Sequence, residues 1–184
     1  MSKPDFDAFV KRQQPAQRDE TGFDPERQLE EWLSYLDALY KRITEFLESY
    51  IKDGSAQIEY RPVQLNEEFS GPYDVREMRL KVGRSTIVFT PIGTMLIGSK
   101  GRVDVQGPIG SARLTLINKK VTSARQLIQV RVAFSGEPPP APPTSEAISN
   151  IEWAWKIVTP PPEMKFIDLT QEAFFDMILS IADA

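Results

Sequence analysis

Residues 24–54, DPERQLEEWLSYLDALYKRITEFLESYIKDG, and the stretch that follows at 55–65, SAQIEYRPVQL, change hydrophobic period at a single glycine, and that change decides the fold. In the first stretch Leu29, Trp32, Leu33, Leu36, Leu39, Tyr40, Ile43, Phe46, Leu47, Tyr50 and Ile51 recur every three or four residues, which gathers them into one stripe of a helix. Asp24 offers a carboxylate to orphan amide hydrogens, and Pro25 suits the first helical position because its missing N–H would have no partner there. Glu26, Glu30 and Glu31 load the first turns with negative charge and Lys52 sits at the end, in keeping with the helix dipole. Gly54 supplies the stop. The spacing predicts one long helix over 24–53, laid on a sheet rather than wound into a coiled coil, since no further heptads follow.

Beyond Gly54 the period falls to two, and turn formers arrive too often for crossover helices to intervene. Strands are predicted at 56–65, 75–82, 85–90, 94–97, 102–106, 113–118 and 126–134, with a last one at 151–158. Such short connections make neighbouring strands antiparallel, and the result is a meander. Residues 136–146 hold Pro138, Pro139, Pro140, Pro142 and Pro143, which favour a stiff extended loop; their two PxxP matches fit a spacer better than a ligand for an aromatic groove. Thr170 caps a closing helix over 170–182, with Phe174, Phe175, Ile178, Leu179 and Ile181 as its apolar stripe. Residues 1–23 read as a flexible N-terminal arm. The expected architecture for 24–184 is thus one α+β domain, a long N-terminal helix packed on an antiparallel meander sheet of about six to eight strands with a closing C-terminal helix.

Composition restricts the chemistry. The 184 residues include neither cysteine nor histidine, which removes disulfides, thiolate nucleophiles, Ser-His-Asp and Cys-His arrangements and zinc sites built on those side chains. No metal and no cofactor is expected, and no catalytic residue is assigned. Residues Met1 to Val10 show neither a basic leader nor a long apolar segment, and no apolar run approaches the roughly 20 residues that cross a bilayer. A soluble protein of a reducing, cytoplasmic compartment is the expectation, with no membrane partner.

Charge is divided unevenly. Residues 1–55 carry 8 basic and 12 acidic side chains, 56–135 carry 12 and 6, and 136–184 carry 2 and 8, for net values of −4, +6 and −6 within an overall −4. The strand region is basic and its flanks acidic. Strand alternation turns Met78, Leu80, Val82, Val103, Val105, Leu114, Leu116, Val130 and Val132 toward a core, so Arg79, Lys81, Arg102, Arg113 and Arg131 share the other face. Glu59, Glu77, Asp104 and Glu152 fall on that face as well, as on many solvated antiparallel sheets. The runs Ile87, Val88, Phe89 and Met95, Leu96, Ile97 present apolar groups to both faces, and Ile117, Leu127 and Val158 also fall on the nominally outer one, which calls for partial cover by the second helix, the arm or another subunit. The face therefore suits a non-catalytic protein-interaction or assembly module that holds an acidic protein or a second copy of the chain as a homodimer. Nucleic acid fits poorly, because the aromatics concentrate in core positions and do not interleave with the cations.

The alternative is a small-ligand-binding domain with an apolar pocket between helix and sheet, lined by Tyr40, Tyr50, Trp153 and Trp155. A carboxylate-dependent enzyme ranks behind both: Glu67, Glu68, Asp74, Glu77 and Asp104, with Tyr60 and Tyr73 nearby, are the candidates, and no spacing rule gathers them. The glycine-rich run from Gly93 to Gly110 lacks the strand-to-helix setting of a phosphate loop, so its glycines are expected to supply positive φ angles in hairpin turns.

Overall fold

Asp24 opens the first helix as its position dictates, its Oδ1 accepting hydrogen bonds from the backbone N–H groups of Glu26 (3.1 Å) and Arg27 (3.2 Å), with Pro25 behind it. From that residue a computed structural model gives the fold and describes residues 24–68, 70–94, 99–123, 151–162 and 164–183. The expected arm 1–23, the strand 126–134, the proline-rich loop 136–146, and all but Thr94 of the strand 94–97 lie outside the described residues. Helix α1 (Pro25–Phe46) is 22 residues long and is followed by the short α2 (Glu48–Lys52). The expected single helix is interrupted at Leu47, whose N–H is shared between the carbonyls of Ile43 and Thr44 (3.2 Å each). Just upstream, Thr44 Oγ1 donates to the Tyr40 carbonyl (2.8 Å), a back-bond that bends helices by competing for the ladder acceptor. Gly54, at φ 80°, ends the helical segment.

Seven antiparallel strands follow: β1 (Ala56–Glu67), β2 (Gly71–Val82), β3 (Ser85–Gly93), β4 (Ser99–Gln106), β5 (Ser111–Asn118), β6 (Trp153–Val158) and β7 (Phe166–Asp168). Their order across the sheet is their order in the chain, a meander, and α3 (Gln171–Ala182) closes it. This is an α+β fold. Thr170 caps α3 through Oγ1, which accepts from the Ala173 N–H (3.1 Å). β3 runs through Pro91 instead of turning there. β2 pairs with β3 only as far as Phe89, so the proline lies where one neighbour is already absent, and a register shift between Pro91 and Gly93 absorbs the irregularity.

Both helices lie on one face of the sheet. Trp32, Leu36, Leu39, Tyr40 and Ile43 of α1 and Phe174, Met177 and Ile181 of α3 share a core with Met78, Leu80, Ile87, Phe89, Val103, Val105, Leu114, Leu116, Trp155 and Ile157. The second helix therefore does not cover the opposite, outer face. Ile117, Val158 and Phe166 are instead buried there in a smaller cluster with Val121 and Met164.

The β1–β2 hairpin overhangs this sheet. Its register is unbroken over twelve pairs, yet the core-packed positions change phase, from Ala56 and Ile58 to Val63 and Leu65 on β1 and from Leu80 and Met78 to Val75 and Tyr73 on β2. The change falls at the Pro62–Arg76 pair, so the ribbon rolls its other face toward the helix, the strong twist available to a two-stranded segment. Its tip is tied down: Glu67 Oε1 accepts from the Thr94 N–H (2.6 Å) and Oγ1 (3.0 Å), while Tyr73 Oη donates to Glu67 Oε2 (2.6 Å).

The glycine run departs from expectation. Among its described members only Gly93 has a positive φ, 124°. Gly101 and Gly107 are required by close approach, since a Cβ on the first would overlap the Trp32 ring and on the second the carbonyl of Ile181.

Candidate interaction face

Pairing fixes which side chains share the outer face, because residues directly opposite on antiparallel strands project together. Glu59 lies opposite Arg79, Arg61 opposite Glu77, Asp104 opposite Arg113, and Lys156 opposite Asp168. With Lys81 and Arg102, six cations and four carboxylates among the described residues stand on this side. Sequence alternation thus places Arg79, Lys81, Arg102 and Arg113 on one face, as expected; Arg131 lies outside the described residues.

Most of these cations are already paired. Lys81 Nζ donates to Glu59 Oε1 (2.6 Å), and that bond holds the Glu59 carboxyl below the usual carboxylate range. Arg79 Nε donates to Glu77 Oε1 (2.8 Å), with both side chains largely covered. Arg102 grips Asp104 with two parallel bonds, Nε to Oδ1 (2.6 Å) and Nη2 to Oδ2 (2.7 Å). Arg113 differs: its Nε stays 3.8 Å from Asp104 Oδ1, a carboxylate that Arg102 already engages on both oxygens. The Arg113 side chain is 43% exposed, so its fork of donors is open to a ligand.

Arg102, Asp104 and Arg113 line the floor of a groove of about 340 Å³, with Thr90 beside them. Val158, Thr159, Pro160, Pro161 and Met164 build the opposite wall, on the side where the face is already covered by the Ile117–Phe166 cluster. The groove thus borders the part of the face, at β5–β7, that this cluster covers. Two guanidinium groups and one carboxylate leave it one positive charge in excess.

No known family, curated protein or solved structure matches this chain. The geometry of the chain alone bears on what it does.

The residues expected to form an apolar pocket are not brought together. Trp153 and Trp155 line a cleft of about 540 Å³ with Tyr35, Leu39, Arg42 and Leu116. Tyr40 belongs elsewhere: its hydroxyl donates to the Arg76 carbonyl (2.6 Å) and its ring packs on Tyr60, 5.7 Å between centroids. Tyr50 is 46% exposed and meets Phe175 of α3 edge-on. Tyr35 and Arg42 escaped the sequence reading because they flank the apolar stripe of α1. Their spacing of seven residues, two helical turns, was the available signal. The candidate carboxylates also stay apart, with Glu67 at the ribbon tip, Glu77 on Arg79 and Asp104 on Arg102, and no metal-holding group of three forms among the described residues.

Proposed function

We propose that the protein is a non-catalytic interaction module whose outer sheet face holds an acidic segment of another protein, anchored at Arg113. The observation that carries this reading is the unequal pairing in the groove: Asp104 is engaged bidentately by Arg102, which leaves the exposed Arg113 guanidinium without a hydrogen bond to it. A guanidinium presents its donors in a rigid plane that matches a carboxylate, and a partly desolvated wall strengthens that attraction. Lys81 and Arg79, toward the β1 edge, are each held by a carboxylate of their own and add no net charge to the field at the groove.

Fluorescence anisotropy with a labelled hexaglutamate peptide tests the proposal. Binding is expected to weaken steeply between low and physiological salt, as exposed charge attraction does. Arg113→Ser should lower the affinity at least tenfold, and Arg79→Ser, which removes a cation already held by Glu77, less than twofold. Equal affinity of the wild type and Arg113→Ser would overturn it. So would a chain that is dimeric by light scattering and becomes monomeric in Arg113→Ser, because the occupant would then be a second copy.

A further inference from the structure

The cleft between α1 and β6 shares no lining residue with the groove. Its rim holds a neutralised pair, Lys119 Nζ to Glu152 Oε2 at 3.2 Å. Arg42, which also lines it, has no carboxylate partner among the described residues; its guanidinium carbon lies 5.6 Å from the Phe46 ring centroid. Arg42 therefore shares a cleft with Tyr35, Trp153 and Trp155, its guanidinium resting on the neighbouring Phe46 ring and exposed to solvent. Those walls are fixed before any ligand arrives. Trp155 Nε1 donates to the Tyr35 carbonyl (3.0 Å), its ring packs on Trp32 with centroids 6.1 Å apart, and Lys100, itself hydrogen-bonded to Glu31 (2.6 Å), lies 5.0 Å from the Trp153 ring centroid. A volume of about 540 Å³ falls in the range of small-molecule sites, and rigid walls spare a ligand the cost of ordering them.

We propose that this cleft binds a small aromatic monoacid, its ring against Trp153 and Tyr35 and its carboxylate on Arg42. A neutral aromatic makes no ion pair with Arg42, and a dianion finds its second cation, Lys119, already neutralised by Glu152. The matched pair 2-naphthoate and 2-naphthalenemethanol separates ring from charge in equilibrium dialysis against the full chain. The expected result is saturable binding of 2-naphthoate at one site, at least tenfold tighter than the alcohol, with Arg42→Gln abolishing that difference while the alcohol binds as before. Ala38→Phe, which fills the cleft from an exposed helix position, should abolish both. Arg113→Ser should change neither, so the groove reading fails or stands separately. No saturable binding, equal affinity of the pair for wild type, or an advantage of the acid that survives Arg42→Gln would overturn the proposal.

Discussion

Lys156 is the one charged side chain counted as buried among the described residues, 2% exposed, and its Nζ donates to the Val121 carbonyl (2.8 Å) and pairs with Asp168 (3.1 Å). The Asp168 side chain is 70% exposed, so water screens that attraction and the carbonyl is the main anchor. Lys156→Met, similar in length and uncharged, is expected to keep stability within about 1 kcal/mol of wild type, as replacement of a buried charge by a packed apolar group often does. A loss of more than about 3 kcal/mol in the unfolding free energy from urea titration would show the bonds of the buried ammonium to be essential. Tyr40 and Tyr73 set the alkaline limit. Burial, helped by the charge of Tyr60 for the first and by the hydrogen bond to Glu67 for the second, raises both phenols well above their usual range. An unfolded chain loses those protons near pH 10 while the folded one retains them. Their contribution is therefore complete below about pH 10 and declines as pH rises further, and thermal melts at pH 8 to 11 should show a plateau followed by a fall. At this scale the sequence told which face Lys156 occupies, through alternation with Trp153 and Trp155. Its burial depends on contacts from outside the strand, the Val121 carbonyl among them, which no local pattern encodes.

Among elements, the β1–β2 ribbon is the one whose position hangs on a few bonds. Beyond Met78 it has no strand neighbour in β3, and its tip is held through Glu67 to Thr94 and Tyr73. Glu67→Ala is expected to raise amide exchange selectively in 61–67 and 71–76, at least tenfold, and to leave β4 and β5 amides unchanged. Uniform change across the sheet would mean that the tip bonds support the whole fold. Elements with a strong period were legible: the stripe of α1, its Asp24–Pro25 start, the cap at Thr170, and β2 through β5 to within a few residues. Elements that depend on context were not. β7 has three residues, too few to show a period, and the continuation of β3 through Pro91 depends on β2 having already turned away.

At the scale of the molecule one core joins both helices to the sheet. Phe174 marks that junction, with ring centroids 5.7 Å from Phe46 of α1, 6.4 Å from Phe89 of β3 and 5.9 Å from Phe175. Phe174→Ala should cost about 3–5 kcal/mol, within the range for a buried phenylalanine. The loss should move a single transition seen alike by far-ultraviolet and near-ultraviolet circular dichroism; separate transitions would show α3 to be an independent unit. The antiparallel order was legible because short turns forbid crossovers. The shared side of the two helices was not, and that placement leaves the outer face at β5–β7 to be covered by Val121 and Met164. Among the described residues the sheet does not close, and the amides and carbonyls of an edge strand can recruit a foreign strand, although at β7 the Phe166 N–H is already taken by the Thr122 carbonyl (3.0 Å). Here one edge is three residues long, and the other carries Pro62, with no amide hydrogen to offer, at the point where the ribbon rolls over. Neither presents a long flat template, so the same roll that shapes the fold also guards it against end-to-end growth into fibrous aggregates.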